Sequence, residues 1–180
     1  MRGSKTSSGG IYIALGSNLP WQDCAPRDTL ARALRVIETS GMQVVARSSD
    51  WSSPAWPDPA DPPYVNAVVE VASELDAPTV MACLHQVELA FDRQRDVRWG
   101  SRTLDLDLID YRGEVRAATD ETDLHLPHPR ATQRGFVLYP LIEIAPFWID
   151  PVTGRDINAL IDDLEPASRN GLEQLQSVSV

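Results

Sequence analysis

Asp105 and Asp107 alternate with Leu104, Leu106 and Leu108. In an extended strand, successive side chains point to opposite faces. This spacing therefore predicts three leucines entering a core and two carboxylates sharing the other face. Carboxylates held that close repel each other unless a cation lies between them or water reaches them. Directly upstream stand Arg93, Arg95, Arg98 and Arg102. Carboxylate oxygens suit a hard metal ion, and guanidinium forks suit phosphate oxygens. Together they point to phosphate transfer from a nucleotide. Taken alone, the same residues also fit a solvated strand face and surface arginines paired with Asp92 and Asp96.

The elements that must position these groups can be read from hydrophobic periodicity. An apolar run over 11–15 stops at Gly16-Ser17-Asn18 and reads as a buried strand entering a turn. Leu30, Ala33, Leu34 and Ile37 recur at helical spacing over 28–39, and Gly41 suits the helix stop. Strands are expected over 42–46, 64–71 and 103–111. A helix is expected over 78–91, carrying Val80, Leu84, Val87 and Phe91. Between them, 53–63 holds five of the chain's 14 prolines and reads as a loop. Trp56 within it is either a lid residue or a plug for the domain edge. Two more helices are expected, over 135–144 and 156–164. Asp110 is expected off the Asp105/Asp107 face, as a surface residue. The order strand, helix, strand, strand, helix, strand is the split βαβ pattern of a ferredoxin-like domain. It predicts an α+β fold with a mainly antiparallel sheet, two helices covering one face.

Composition bounds the rest. The chain has 180 residues, 43% hydrophobic and 23% charged, which suits one folded domain over 11–180. Residues 1–10 are polar and read as a disordered leader outside the fold. No apolar run nears the length of a membrane span, so a cytoplasmic location is expected. Cys24 and Cys83 form no CxxC pair and are expected as free thiols. The net charge of −10 argues against a general nucleic-acid binder. A compact basic patch on an acidic chain suits a small polyanion better. Three scattered histidines give no zinc signal.

Three segments together resemble one family. They are Ile13-Ala14-Leu15-Gly16-Ser17-Asn18, then the stretch from Arg98-Trp99-Gly100 to Asp107, then Leu126-Pro127-His128-Pro129-Arg130 followed by Arg134-Gly135-Phe136. With Tyr64 and Asn66 after the proline-rich loop, they are similar to the 6-hydroxymethyl-7,8-dihydropterin pyrophosphokinases of folate synthesis. The resemblance runs from about residue 11 to 146. It implies transfer of a diphosphoryl group from ATP to the pterin hydroxymethyl oxygen, leaving AMP. It also implies two Mg²⁺ ions, a three-layer ferredoxin-like α/β/α sandwich, and ATP and a reduced pterin as small-molecule partners. A monomer that binds neither nucleic acid nor membrane is expected.

The resemblance assigns roles residue by residue. Asp105 and Asp107 match the metal pair, and Arg93 and Arg102 match catalytic arginines. Arg95, Arg98 and Trp99 match a mobile loop closing over ATP. Glu88, Leu108, His128 and Arg134 match other ATP-side positions. Tyr64, Asn66 and Phe136 match the pterin pocket, with Ser53 and the backbone around Gly16 and Pro54 completing its edge. Two flat aromatic faces suit a pterin ring, and an amide can both donate to and accept from its edge. Isolated aromatics are more often core residues. Asn66 within a valine-rich strand is harder to place there, because a buried amide needs partners. This chain departs from the family pattern at His85, often glutamine, at Asp92, usually glycine, and at Ser101, usually proline. Those departures are the basis of a second reading, a catalytically weak pterin- or nucleotide-binding paralogue. A different phosphotransferase or a two-metal phosphohydrolase is a third.

Overall fold

The computed structural model describes residues 9–56, 58–92, 102–118 and 124–176. The chain begins with β1 (Ile11–Ser17) and continues into α1 (Pro26–Thr39). Pro26 opens α1, where its fixed φ is pre-organised and its missing N–H costs no helical bond. Leu30, Ala33 and Ile37 are buried along one stripe, as their spacing requires. Gly41, at φ +85, turns the chain into β2 (Gln43–Arg47). Next come β3 (Trp51–Ser53), the proline-rich loop, β4 (Tyr64–Ala72) and α2 (Ala77–Ala90). Asp76 caps α2 by accepting from Thr79 N at 2.9 Å. Then follow β5 (Asp105–Tyr111), α3 (Gly135–Ile144), α4 (Ile157–Asp162), α5 (Pro166–Arg169) and the short β6 (Glu173–Gln174).

One six-stranded sheet runs in the order β5-β1-β4-β3-β6, with β2 also paired to β4. Every pairing is antiparallel. β2 and β3 lie in succession along the same edge of β4, and Ser48 joins them: its N donates to Val68 O and its Oγ accepts from Val68 N. Stripped of β3 and β6, the order is the ferredoxin-like one expected from the sequence. One face packs on α1 and α2, burying Ile13, Leu15, Leu30, Ile37, Leu84 and Leu106. The other packs on α3 and α4, burying Val68, Ile109, Leu138, Leu141 and Ile157. Each such aliphatic side chain contributes about 1.5–3 kcal/mol by leaving water. Helices thus cover both faces: α1 and α2 are the two helices expected on one face, and α3 and α4 complete the three-layer form that the resemblance implies.

Two expectations are corrected. β3 and β6 are strands where none was expected; three residues and two residues are too short to show a period. Asp110 is not a surface residue: it is 2% exposed. The β1–β5 register shifts between Tyr12 and Ile13, which pair with Asp110 and Leu108 and leave Ile109 as the extra residue. That bulge breaks the alternation and turns Asp110 toward the α3 layer. There it accepts from Trp148 Nε1 at 2.7 Å and from Gly113 N at 2.9 Å. Cys24 and Cys83 are free thiols.

Burial raises the Asp110 pKa above its ordinary 3.8, against the lowering effect of the Trp148 hydrogen bond. A carboxyl whose folded pKa is raised binds its proton more tightly in the native state. Its stabilisation is full below the unfolded value and is lost as pH rises through the folded one. Asp110→Asn keeps an acceptor for Trp148 and removes the titration. In denaturant titrations at pH 4 and pH 7, the variant should gain stability relative to the parent at the higher pH. A variant that instead loses ground between pH 4 and pH 7 would contradict this account.

Candidate functional site

A cavity of about 630 Å³ opens on the α3 side of the sheet. Its floor is a row of side chains set by strand register. Asp105 pairs with Gly16, Gly16 with Asn66, and Asn66 with Trp51; Asp107 pairs with Ala14 and Ser53 with Tyr64. Because the side-chain period is two, Asp105, Asp107, Ala14, Gly16, Tyr64 and Asn66 all face the same layer. Gly16 keeps the middle of this floor low. A Cβ there would stand 3.5 Å from Asn66 Oδ1 and 3.9 Å from Asp105 Cβ, so a longer side chain would fill the space between them.

At the β5 end of the cavity, each aspartate meets a guanidinium. Arg102 Nη1 lies 2.6 Å from Asp105 Oδ2, and Arg134 Nη1 lies 3.2 Å from Asp107 Oδ2. His128 Nε2 is 3.7 Å from the same Asp107 oxygen, and its Nδ1 accepts from Arg130 N at 3.2 Å. A ring whose Nδ1 accepts a hydrogen bond is neutral there, and burial indeed pulls the His128 pKa below 6.5. Burial also lowers the Arg134 pKa from its ordinary value, opposed by Asp107. The backbone holds His128 in place, since its N donates to Ile109 O at 2.8 Å.

Arg102 is fixed through its main chain. Its N donates to Asn18 Oδ1 at 2.7 Å, and its O accepts from Asn18 N and Leu19 N at 3.1 Å each. Asn18 Nδ2 in turn donates to Pro62 O of the proline-rich loop. On the far side of the arginine-rich segment, Trp21 packs on Phe91, their rings 4.5 Å apart, and its Nε1 donates to Asp92 Oδ2 at 2.9 Å. Asp92 has φ +57, a left-handed conformation that suits glycine and that aspartate tolerates. Glycine, which the family resemblance implies at this position, adopts that conformation without steric cost. Thr103 Oγ1 then donates to Phe91 O at 2.6 Å, so both ends of the segment are tied to one another.

At the other end of the cavity, Asn66 Nδ2 donates to Ser53 Oγ at 2.9 Å and to Trp51 O at 3.3 Å. Its buried amide therefore has the partners that burial demands. Tyr64, Phe136, Pro54 and the largely exposed Trp56 line the same end. The Arg134 guanidinium sits 5.5 Å from the Phe136 ring centroid, linking the two ends.

Of the residues singled out from sequence, the structure brings together Gly16, Ser53, Pro54, Tyr64, Asn66, Arg102, Asp105, Asp107, His128, Arg134 and Phe136 around this cavity. Leu108 is not among them: it is buried on the opposite face with the α1/α2 core. Glu88 is buried as well, and its Oε1 accepts from Leu106 N at 2.8 Å. It caps the outer edge of β5 between the two aspartates. Arg93, Arg95, Arg98 and Trp99 lie outside the described residues. Sequence reasoning passed over Arg130 and Gln133, which line the cavity, and the clamp role of Asn18. Asn18 and Arg130 stand inside quoted motifs, but nothing in their spacing states what they touch.

Among the described residues, no cluster of three or more His, Cys, Asp or Glu side chains could hold a metal by itself. Two adjacent carboxylates facing a cavity do fit Mg²⁺, which takes few protein ligands and completes its shell with phosphate and water. The two carboxylates with nearby guanidinium groups can bind a polyphosphate; the Tyr64, Asn66 and Phe136 end can bind a flat, polar-edged ring.

Comparisons with known proteins identify a family. The family model for 7,8-dihydro-6-hydroxymethylpterin-pyrophosphokinase matches residues 12–146. A 2-amino-4-hydroxy-6-hydroxymethyldihydropteridine pyrophosphokinase of Synechocystis is 36% identical, covering 87% of this chain and 76% of that protein. Its counterpart in Methylorubrum extorquens is 33% identical, covering 92% and 98%. Among solved structures, the HPPK-DHPS of Plasmodium falciparum superposes with a TM-score of 0.62 at 11% identity, which speaks to fold alone. It covers 84% of this chain, and the chain spans 44% of that larger protein.

Asn18→Ala removes the acceptor for Arg102 N in a buried setting, so it should cost about 1–3 kcal/mol. Urea unfolding measures this; an unchanged midpoint would show that the clamp does not hold Arg102.

Proposed function

The chain belongs to the 7,8-dihydro-6-hydroxymethylpterin-pyrophosphokinase family, and we propose that the cavity on the α3 side of its sheet is where it carries out that family's reaction. A diphosphoryl group passes from ATP to the hydroxymethyl oxygen of the reduced pterin. The pterin hydroxyl oxygen bonds to the β-phosphorus and releases its proton to solvent, and the bond from that phosphorus to the bridging oxygen of the α-phosphate breaks. AMP leaves with the bridging oxygen, and the pterin diphosphate remains.

The observation that carries this reading is the division of one cavity into two chemistries. The ion-paired end presents Asp105, Asp107, Arg102, Arg134 and His128. The ring-binding end presents Tyr64, Asn66 and Phe136. In the proposed complex Arg102 and Arg134 bind the phosphate chain by charge-assisted hydrogen bonds. Each already faces a carboxylate, so phosphate competes for a guanidinium that is pre-positioned. His128, neutral, donates Nε2–H toward the phosphates while Arg130 N holds its Nδ1. Asn66 presents Oδ1 to the pterin edge, its Nδ2 being committed to Ser53 and Trp51. Mg²⁺ would be held by Asp105 and Asp107 and would neutralise phosphate charge. That two ions bind is carried by the resemblance, as are the phosphate-side roles of Arg93, Arg95, Arg98 and Trp99. Glu88 serves the site by holding Leu106, and hence the aspartate strand, and Leu108 by anchoring that strand in the core. A cytoplasmic, single-domain enzyme is the accompanying proposal.

Product analysis tests the reaction. AMP should form from ATP only when 7,8-dihydro-6-hydroxymethylpterin and Mg²⁺ are both present, and EDTA should abolish it. ADP as the product would overturn the reading. Asp107→Ala should lower kcat by about a thousandfold, roughly 4 kcal/mol, with little change in melting temperature. Full activity in that variant would remove Asp107 from the machinery.

A further inference from the structure

The family model ends at residue 146, yet the cavity does not. Ala167, Ser168, Asn170 and Leu172, all beyond that boundary, line it together with Pro54 and Gly135. They belong to a strap formed by α5, the turn after it and β6. The strap is fastened on both sides of the cavity. On the α3 side, Ser168 Oγ donates to Gln133 O at 2.9 Å. A Cβ on Gly135 would stand 2.1 Å from Ser168 O and 2.6 Å from Leu172 Cδ1, so only glycine lets the strap lie this close. On the β3 side, Gly171 turns at φ +74, with Pro54 Cγ 2.6 Å from where its Cβ would be. β6 then pairs with β3, Leu175 N donates to Asp50 O at 2.8 Å, and Gln174 Nε2 donates to Ser49 Oγ at 2.9 Å.

This fastening places the strap at one end of the site. β6 is at one edge of the sheet and β5, carrying the aspartates, is at the other. The strap therefore borders the end lined by Ser53, Pro54 and Phe136, away from Asp105 and Asp107. Two of its cavity-lining residues carry complementary chemistry. Leu172 offers an apolar surface suited to a ring face or the edge of an aromatic partner. Asn170, exposed at the mouth, can donate and accept at once, as a pterin's alternating donors and acceptors require.

We propose that the strap is the closing wall of the pterin site, with Leu172 and Asn170 as substrate-binding residues that set affinity for the pterin and not for ATP. The proposal rests on the reading of the cavity as a pterin and ATP site. It adds specificity residues in a segment that the family's matched region does not reach.

The test uses the full chain with Asn170→Ala and Leu172→Ala combined, and a second variant ending at residue 164. Fluorescence titration gives the Kd for 6-hydroxymethylpterin, and calorimetry gives the Kd for a non-hydrolysable ATP analogue with Mg²⁺. The double variant should bind the pterin about tenfold more weakly, the loss expected when roughly two methylene-equivalents of contact go. The ATP analogue should bind within about twofold of the parent. The shortened chain, where its melt shows a folded protein, should follow the same pattern. Pterin affinity within about twofold of the parent in the double variant would overturn the strap's role. Equal weakening of both ligands would do so too, since it marks a structural effect. A parent chain that binds no pterin at all would instead overturn the reading of the cavity itself.

Discussion

Two carboxylates placed two residues apart on one strand face constrain everything around them. Left alone they would repel across a few ångströms. The fold answers with a guanidinium from each side: Arg102 on Asp105 and Arg134 on Asp107. The two arginines come from different parts of the chain. Arg102 is held by the β1–α1 turn through Asn18, and Arg134 by its place at the start of α3. The turn after β1, the start of α3 and strand β5 must therefore meet at one point. That convergence is what the three-layer arrangement provides.

The same arrangement explains why the site lies on the α3 side. Alternation over 104–108 sends Leu104, just before β5, and Leu106 and Leu108 within it into the α1/α2 core, and so commits the aspartates to the opposite face. Glu88 reinforces this from the core side by taking the Leu106 N–H at the sheet edge. A buried acid thus works on backbone geometry a residue away from the carboxylates it serves. At the cavity's other end, Asn66 is held by Ser53 and Trp51, so a cavity-lining amide is oriented by β3, a strand only three residues long.

Much of this was legible in the residues. Period-two leucines placed the aspartates, helical spacing placed α1 and α2, and half of the cavity-lining residues are ones to which the family resemblance assigned roles. The parts that were not legible have physical reasons. Asp110 followed simple alternation in the sequence, but a bulge at Ile109 turned it inward to Trp148. β3 and β6 are too short for periodicity. The strap past residue 164 depends on Gly135 and Gly171, glycines whose meaning appears only once the chain segments they admit are seen together. Leu108 is buried in the α1/α2 core and Glu88 accepts from Leu106 N, contacts that spacing does not carry.

The central claim is that one cavity joins a phosphate end and a ring end. A crystal structure with a non-hydrolysable ATP analogue, Mg²⁺ and 6-hydroxymethylpterin tests it most directly. The account predicts the β- and γ-phosphates at Asp105, Asp107, Arg102 and Arg134, and the pterin ring at Tyr64, Asn66 and Phe136. A nucleotide or pterin bound on the α1/α2 side of the sheet, or the two ligands in separate cavities, would contradict it.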